Sequence, residues 1–349
     1  MRAIFEAGIG CDRAVVIEDG RTVEAHLELP GPHVGDVWEA RLYQVAHGIG
    51  DLQMPGGPRL DPVPGWATEG MIVEAEVMRE AIHDPDRWRT PKVVPLRPAG
   101  EGAPARVGEA PRRSGYVIYN SESGGHRLRP GPGLRDRLAA RGIRVTAQPV
   151  HGPDLLESAG WSEALEQART GRFAFVGGEL VIERTAAFET IDVDGHLPTA
   201  DLALAAAPAI GAAIRLFDLT GAIVIDFPTL GSRAARTAVD AALEAELPRP
   251  FERTAMNGFG LVQVIRPKLR PSLIDQMQGA PAFIAALALL RQAERTPGAG
   301  TTTIAAHPAV AKLIASDHMA ELERRTGRPA RVHPDPTRGA ETGHVHAQP

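Results

Sequence analysis

The alternation of short apolar strands with long helices between residues 173 and 273 constrains the fold of this chain more than any other feature. The run GAIVIDF is continuously apolar up to Asp226, which predicts a strand buried on both faces. ADLALAAAPAIGAAIRL before it predicts a helix, with Pro208 expected to kink it or mark its start. SRAARTAVDAALEAEL after it predicts an amphipathic helix with Ser232 as N-cap. Together they indicate a layered α/β or α+β domain.

Turn residues between apolar runs predict hairpins outside these helices. Asp19-Gly20 separates AVVIE from RTVEAHLEL, and Gly177-Gly178 separates FAFV from ELVIERT. Beyond Pro32, strand-like runs such as GDVWEARLYQV and GMIVEAEVM alternate with Gly/Pro-rich loops. This pattern predicts a small β-barrel inserted after the first hairpin.

Composition narrows the class of protein. The 349 residues are 43% hydrophobic and 23% charged, which is typical of a globular chain of two or three domains. No apolar run approaches the ~20 residues of a membrane helix, and no signal peptide is recognised, so we expect a cytoplasmic protein without a membrane partner. The single cysteine, Cys11, excludes internal disulfides and a multi-cysteine zinc site. With a net charge of −5, nucleic-acid binding would depend on local basic patches or on a metal.

Carboxylates follow two of the apolar runs. In ETIDVDG, Asp192 and Asp194 are two residues apart and therefore share one face of a strand. Asp226 ends GAIVIDF, and its carboxylate converges with that of Asp192 if the two strands are neighbours. Carboxylate oxygens suit Mg²⁺, which can polarise a phosphodiester and generate a hydroxide nucleophile. Each aspartate could equally be a turn former or a helix cap, and spacing alone does not decide.

A basic segment follows the last strand of this region. Arg266, Lys268 and Arg270 share one face if the segment stays extended. They could contact phosphates, or they could guard a solvated edge strand. From spacing alone the two interpretations are about even.

Three long stretches carry a family resemblance. VGGELVIERTAAFETIDVDG, AAAPAIGAAIRLFDLTGAIVIDF and FGLVQVIRPKLRPSL resemble, in order and interval, the catalytic core of the ribonuclease E/G family. The resemblance implies that Asp192 and Asp226 hold a catalytic Mg²⁺, with Mn²⁺ as the alternative. Asp194 falls where the family usually has an asparagine that orients the metal-bound carboxylates. The implied reaction is endonucleolytic cleavage of single-stranded RNA by a metal-activated water.

The resemblance also implies a multidomain α+β and α/β architecture. Its expected parts are a ribonuclease-H-like N-terminal part (1–34 with 140–172), an inserted OB-fold-like RNA-binding β-barrel (35–97), a linker with the 5′-sensor region (98–139), a DNase-I-like catalytic subdomain (173–275), a small C-terminal unit (276–340) and a disordered tail (341–349).

Three departures from the family pattern limit what is carried over. The predicted barrel is short, and its segment GIGDLQMPGGPRL lacks an aromatic that would stack on bases. The cysteine pair of the family's zinc link should follow Leu273, but the chain reads IDQMQGAPAF there, so we expect no structural zinc and no zinc-linked homo-oligomer. Tyr119 and Asn120 stand where the family places an Arg-Thr pair that senses a 5′-monophosphate, and a neutral pair cannot replace a guanidinium. The alternatives to an endoribonuclease are a non-catalytic RNA-binding relative and a metal-dependent phosphodiesterase on another substrate.

Overall fold

The protein is seen in a computed structural model that describes residues 1–83, 88–99, 124–339 and 341–348. The predicted 5′-sensor residues Tyr119 and Asn120, and most of the predicted linker, lie outside the described residues. In the described part of the chain the strands are β1 (Arg2–Ala7), β2 (Asp12–Glu18), β3 (Arg21–Glu28), β4 (Val37–Ala46), β5 (Ile49–Gln53), β6 (Arg59–Leu60), β7 (Ile72–Arg79), β8 (Ile82–His83), β9 (Trp88–Arg89), β10 (Lys92–Pro98), β11 (His126–Arg129), β12 (Arg144–Ala147), β13 (Arg172–Phe175), β14 (Gly178–Arg184), β15 (Glu189–Gly195), β16 (Gly221–Asp226), β17 (Glu252–Arg253), β18 (Leu261–Arg266), β19 (Thr301–Ala306), β20 (Ala330–Pro334) and β21 (Gly343–Gln348). The helices are α1 (Leu134–Ala140), α2 (Leu155–Ser158), α3 (Trp161–Thr170), α4 (Thr199–Leu216), α5 (Arg233–Glu246), α6 (Leu273–Gly279), α7 (Pro281–Arg295), α8 (Pro308–Ala311) and α9 (Ser316–Thr326).

The N-terminal sheet has the strand order β12-β1-β2-β3. Asp19 and Gly20 have φ angles of 49° and 78°, and they form the predicted tight turn between β2 and β3. Strand β12 comes from far along the chain and pairs in parallel with β1, while β2 and β3 add antiparallel. The first hairpin and a later segment therefore share one sheet. A specific likeness to ribonuclease H stays a prediction.

The region predicted as an insert forms its own sheet, with the order β10-β7-β4-β5-β6 and β11 paired to β4. It encloses a separate apolar core that includes Leu42, Leu52 and Val73. Both runs singled out in the sequence are strands, β4 and β7, and they pair antiparallel. This part of the chain is therefore a β unit with a core of its own, and its identity as an OB-fold stays a prediction.

The central sheet has the order β13-β14-β15-β16-β18-β17. Its β15–β16 pair is parallel and the other pairs are antiparallel. Helix α4 packs on one face, where it contacts β13, β14 and β15, and α5 packs against α4. The predicted hairpin at Gly177-Gly178 and the Ser232 cap of α5 are both present.

The expectation that GAIVIDF is buried on both faces is wrong. In β16, Ile223 and Ile225 are buried, whereas Val224 is half-buried and Asp226 is exposed. The reason is that the helices cover one side of the sheet only. The other side, formed by alternate residues of β13 to β18, is open, and below it is called the open face.

Helix α4 continues through its proline. It runs from Thr199 to Leu216 with Pro208 inside. Pro208 lacks an N–H for the carbonyl of Leu204, and both residues lie on the exposed side of the helix, where water can replace the missing partner. By length and composition α4 could span a membrane, as could the bent pair α6–α7, but most α4 side chains pack in the core.

The C-terminal part places α7 beside a sheet of order β20-β19-β21. The expected disordered tail is wrong for residues 343–348, which form β21 antiparallel to β19. Val345 is buried opposite Ile304, and this apolar contact and the ladder of hydrogen bonds order the segment.

Candidate active site on the open face of the central sheet

Asp192 and Asp226 lie side by side near the ends of two parallel strands. They are direct partners in the register of β15 and β16, so their Cα atoms are about 4.8 Å apart, the spacing of neighbouring strands. Partners in register point to the same side of a sheet, and both aspartates are exposed on the open face. The predicted convergence of these two carboxylates from distant parts of the sequence is therefore present.

Asp194 belongs to the same group of carboxylates. It is exposed on the open face, two residues beyond Asp192, and its partner on β14 is Glu179. Partial burial, followed by the charges of Asp194 and Asp226, raises the pKa of Asp192 above its ordinary value. Burial and the neighbouring carboxylates together disfavour ionisation of Asp192.

A divalent cation would relieve this crowding. In the described ranges no group of three or more His, Cys, Asp or Glu side chains is placed to hold a metal. The pair Asp192 and Asp226 nevertheless fits Mg²⁺, because Mg²⁺ takes one or two carboxylates and completes its shell with water and substrate phosphate. The donor set is oxygen only, which also suits Mn²⁺ and is a poor match for a structural zinc.

The basic segment does not continue as a strand. Strand β18 ends at Arg266, and the side chains of all three cations already have partners within the protein. The Arg266 guanidinium donates to the Leu219 carbonyl oxygen, and burial lowers the pKa of both Arg266 and Arg270. A phosphate contact by Arg266, Lys268 or Arg270 stays a prediction, and it would have to compete with these internal partners.

Lys268 lies within a buried charge cluster that the sequence did not suggest. Its Nζ is 3.3 Å from Glu189 Oε1 and 3.1 Å from Asp275 Oδ2, and Arg184 Nε is 3.0 Å from Asp275 Oδ1. Burial and the charge of Asp275 raise the pKa of Glu189. Glu189 Oε2 and Thr220 Oγ1 are buried without a hydrogen-bond partner and line a cavity of about 100 Å³.

The position of Glu189 in its strand was the only signal for this cluster. Glu189, Ile191 and Val193 alternate with the exposed aspartates, so Glu189 occupies a core position at the start of β15. The segment after Ser272, where the family resemblance would place a cysteine pair, forms α6. Ser272 and Asp275 cap the N-terminus of this helix. The Asp275 N–H donates to Ser272 Oγ at 3.0 Å, and the Ser272 N–H donates to Asp275 Oδ2 at 2.8 Å.

The fold and this site define an α/β protein in which the open face of a mixed sheet carries converging carboxylates. Residues 142–269 match the family model described as the Ribonuclease E/G family. Ribonuclease G of Escherichia coli K12 is 34% identical over 109 residues, which cover 28% of this chain and 22% of that protein, and ribonuclease G of Shigella flexneri gives the same values. This matched segment, which contains both Asp192 and Asp226, is similar to the ribonuclease E/G family. The match spans under a quarter of the length of these relatives.

Proposed function

We propose that this protein is a metal-dependent endoribonuclease that cleaves single-stranded RNA. One observation carries the proposal: Asp192 and Asp226 are register partners on the open face, inside the segment that matches the family. Ribonuclease G, by its name, acts on RNA. The proposal extends that class of reaction to this chain.

The roles of the chain's own residues follow from their placement. Asp192 and Asp226 would hold one Mg²⁺ or Mn²⁺, which supplies an activated water and neutralises charge on the phosphodiester. Asp194, on the same face as Asp192, would sit behind this pair and add negative charge where the family usually has asparagine. Such a charge would strengthen cation binding and make the site more selective for divalent ions.

The open face supports a single-stranded substrate. The aspartates lie at the surface of the sheet, and among the described residues no helix covers them, so an extended RNA strand would have direct access. Single strands also expose their base faces for contact with side chains. The partner we propose is therefore single-stranded RNA, met in the cytoplasm.

The test is RNA cleavage by the full chain and by the Asp226→Asn variant. We expect Mg²⁺-dependent cleavage by the native chain, none with EDTA, and a loss on the order of 100-fold or more for Asp226→Asn, since even residues behind a metal ligand account for about 10- to 100-fold. Asp201→Asn, an exposed aspartate in the first turn of α4, is the matched control and should leave the rate unchanged.

Three outcomes would contradict the proposal. RNA binding without cleavage under all conditions would favour a non-catalytic RNA-binding protein. Cleavage that survives both EDTA and Asp226→Asn would place the chemistry elsewhere. Stronger cleavage of small phosphodiesters than of RNA would change the substrate class.

A further inference from the structure

The turn before β18 presents a phenylalanine ring to solvent beside the aspartate pair. Phe259 is 78% exposed, although a phenyl ring is normally stabilised by leaving water. Leu261, two residues on, is the register partner of Asp226. The N–H of Phe227 donates to the carbonyl oxygen of Gly260 at 3.2 Å. The residue after Asp226 is therefore tied directly to the residue after Phe259.

Several hydrogen bonds hold this turn in one conformation. Asn257 Oδ1 accepts from the N–H groups of Phe259 and Leu261 at 2.9 and 3.0 Å, and Thr229 Oγ1 donates to the Phe259 carbonyl oxygen at 3.2 Å. Gly260 has a φ of 99°, and a Cβ there would lie 2.2 Å from a backbone oxygen. The turn therefore requires glycine at this position. The ring is presented by a constrained backbone and not by a loose loop.

The exposed ring belongs to a narrow apolar strip with acidic borders. Phe259, Leu261 and Ile265 are all exposed, and the last two point from β18 to the open face. Asp226 borders the strip on one side, and Glu252 is the partner of Ile265 on the other. A second copy of the chain docked here would bring Asp226 and Glu252 against the same carboxylates of its partner, which disfavours such a contact. An RNA strand would instead meet Asp226 through the proposed cation. A flat group with polar edges suits the strip better.

We infer that Phe259 is a stacking platform for an unpaired nucleobase of the RNA strand whose phosphate lies at Asp192 and Asp226. Aromatic side chains bind bases of single-stranded nucleic acid in this way, largely without regard to sequence. The inference rests on the proposed function and adds a binding residue to it. A base within a duplex cannot offer its face, so the platform would also favour single-stranded over duplex substrate.

The test compares Phe259→Ala, Phe259→Leu and Phe259→Trp on a short single-stranded RNA that carries 2-aminopurine beside the cleaved bond. We expect Phe259→Ala to raise KM by about tenfold to a hundredfold with a smaller change in kcat, because stacking acts in the bound state as well as in the transition state. Phe259→Trp should retain binding, and Phe259→Leu should recover only part of it. Binding should quench 2-aminopurine fluorescence in the native chain and not in Phe259→Ala.

Phe188→Ala is the matched control, since Phe188 is also exposed but precedes β15, at the end of the strand away from Asp192. A native KM in Phe259→Ala, with cleavage retained, would overturn the inference and leave the proposed function intact. A chain that never cleaves RNA but loses quenching only in Phe259→Ala would keep the platform and reject the catalytic proposal. A native dimer that Phe259→Ala splits, with RNA binding unchanged, would show that the strip is a self-association surface.

Discussion

At the scale of single residues, Glu189 shows how position overrides residue type. It is one of the least exposed carboxyl groups of the protein, with a residue exposure of 4%. Lys268 lies 3.3 Å from one of its oxygens while the other has no partner. A half-satisfied buried carboxylate is costly, so protonation is favoured. The same strand exposes Asp192 on its other face, so one strand holds two acids in opposite environments.

A pH-dependent stability should follow from Glu189. Burial raises its pKa from about 4.5 in the unfolded chain to about 7 in the fold. Because the folded state holds this proton more tightly, the stabilisation is complete below pH 4.5 and is lost as pH rises to 7. The free energy of unfolding of Glu189→Gln, relative to that of the native chain, should therefore rise by on the order of 2 to 3 kcal/mol when the pH is raised from 5 to 8. Urea unfolding of both proteins at the two pH values measures this difference.

Glu183→Gln provides the control for this measurement. Glu183 is exposed on the neighbouring strand, opposite Thr190, and the substitution should leave the pH dependence of stability unchanged. If Glu189→Gln also follows the native pH dependence, Glu189 is not the buried titrating group.

At the scale of elements, the C-terminal strand β21 shows how a neighbour creates order. GHVHAQ has weak strand signals and lies near the end of the chain. Strand β19 is paired in parallel with β20 on one side, and its other edge would be open without β21. Unpaired edges of this kind recruit any compatible segment. The C-terminal segment is ordered because it pairs with the free edge of β19.

Removal of residues 343–349 should destabilise the C-terminal sheet. Burial of Val345 alone is worth about 2 kcal/mol, and the ladder to β19 is lost as well. Hydrogen exchange should therefore accelerate at the β19 amides while β16 keeps its protection. Val345→Ala should show a smaller effect in the same place, and His346→Ala, on the other side of β21, should show little. Unchanged exchange at β19 after truncation would mean that β21 contributes nothing to this sheet.

At the scale of the whole molecule, a polar junction links the sheet of β4, β7 and β10 to the segment that follows β18. Glu80, just after β7, donates its N–H to the Leu269 carbonyl oxygen at 2.9 Å. Its carboxylate lies 3.1 Å from Arg270 Nε and 3.3 Å from His33 Nδ1. Arg184 adds a hydrogen bond to the His83 carbonyl oxygen. These contacts link the sheet of β4, β7 and β10 to the segment that follows β18.

Substitutions of Glu80 and Arg270 should each lower the stability of the protein, and their effects should not be additive. Because both side chains are largely buried, Glu80→Gln and Arg270→Gln should each lower the free energy of unfolding by about 2 kcal/mol. The double variant should lose less than the sum of the two. Denaturant unfolding of the four proteins measures this coupling. Strict additivity would show that the pair is not coupled. The control is Arg97→Gln, which breaks an exposed ion pair with Glu74 and should have little effect on stability.

The sequence by itself determined the local secondary-structure elements of this protein and which aspartates, Asp192 and Asp226, follow its apolar strands. The Asp19-Gly20 turn, the Ser232 cap and the strands that carry Asp192 and Asp226 follow from turn chemistry, capping and apolar periodicity. These signals act over a few residues, so they can be seen without the fold.

Only the tertiary structure decided which faces are open and which charges are internal. The basic segment turns inward because Glu189, Asp275 and Glu80 lie nearby in space, although they are distant or unremarkable in sequence. In the described part of the chain, helices cover one side of the central sheet only, which leaves the aspartates exposed on the other. Burial and ion pairing depend on neighbours from distant parts of the chain, and no local pattern specifies those neighbours.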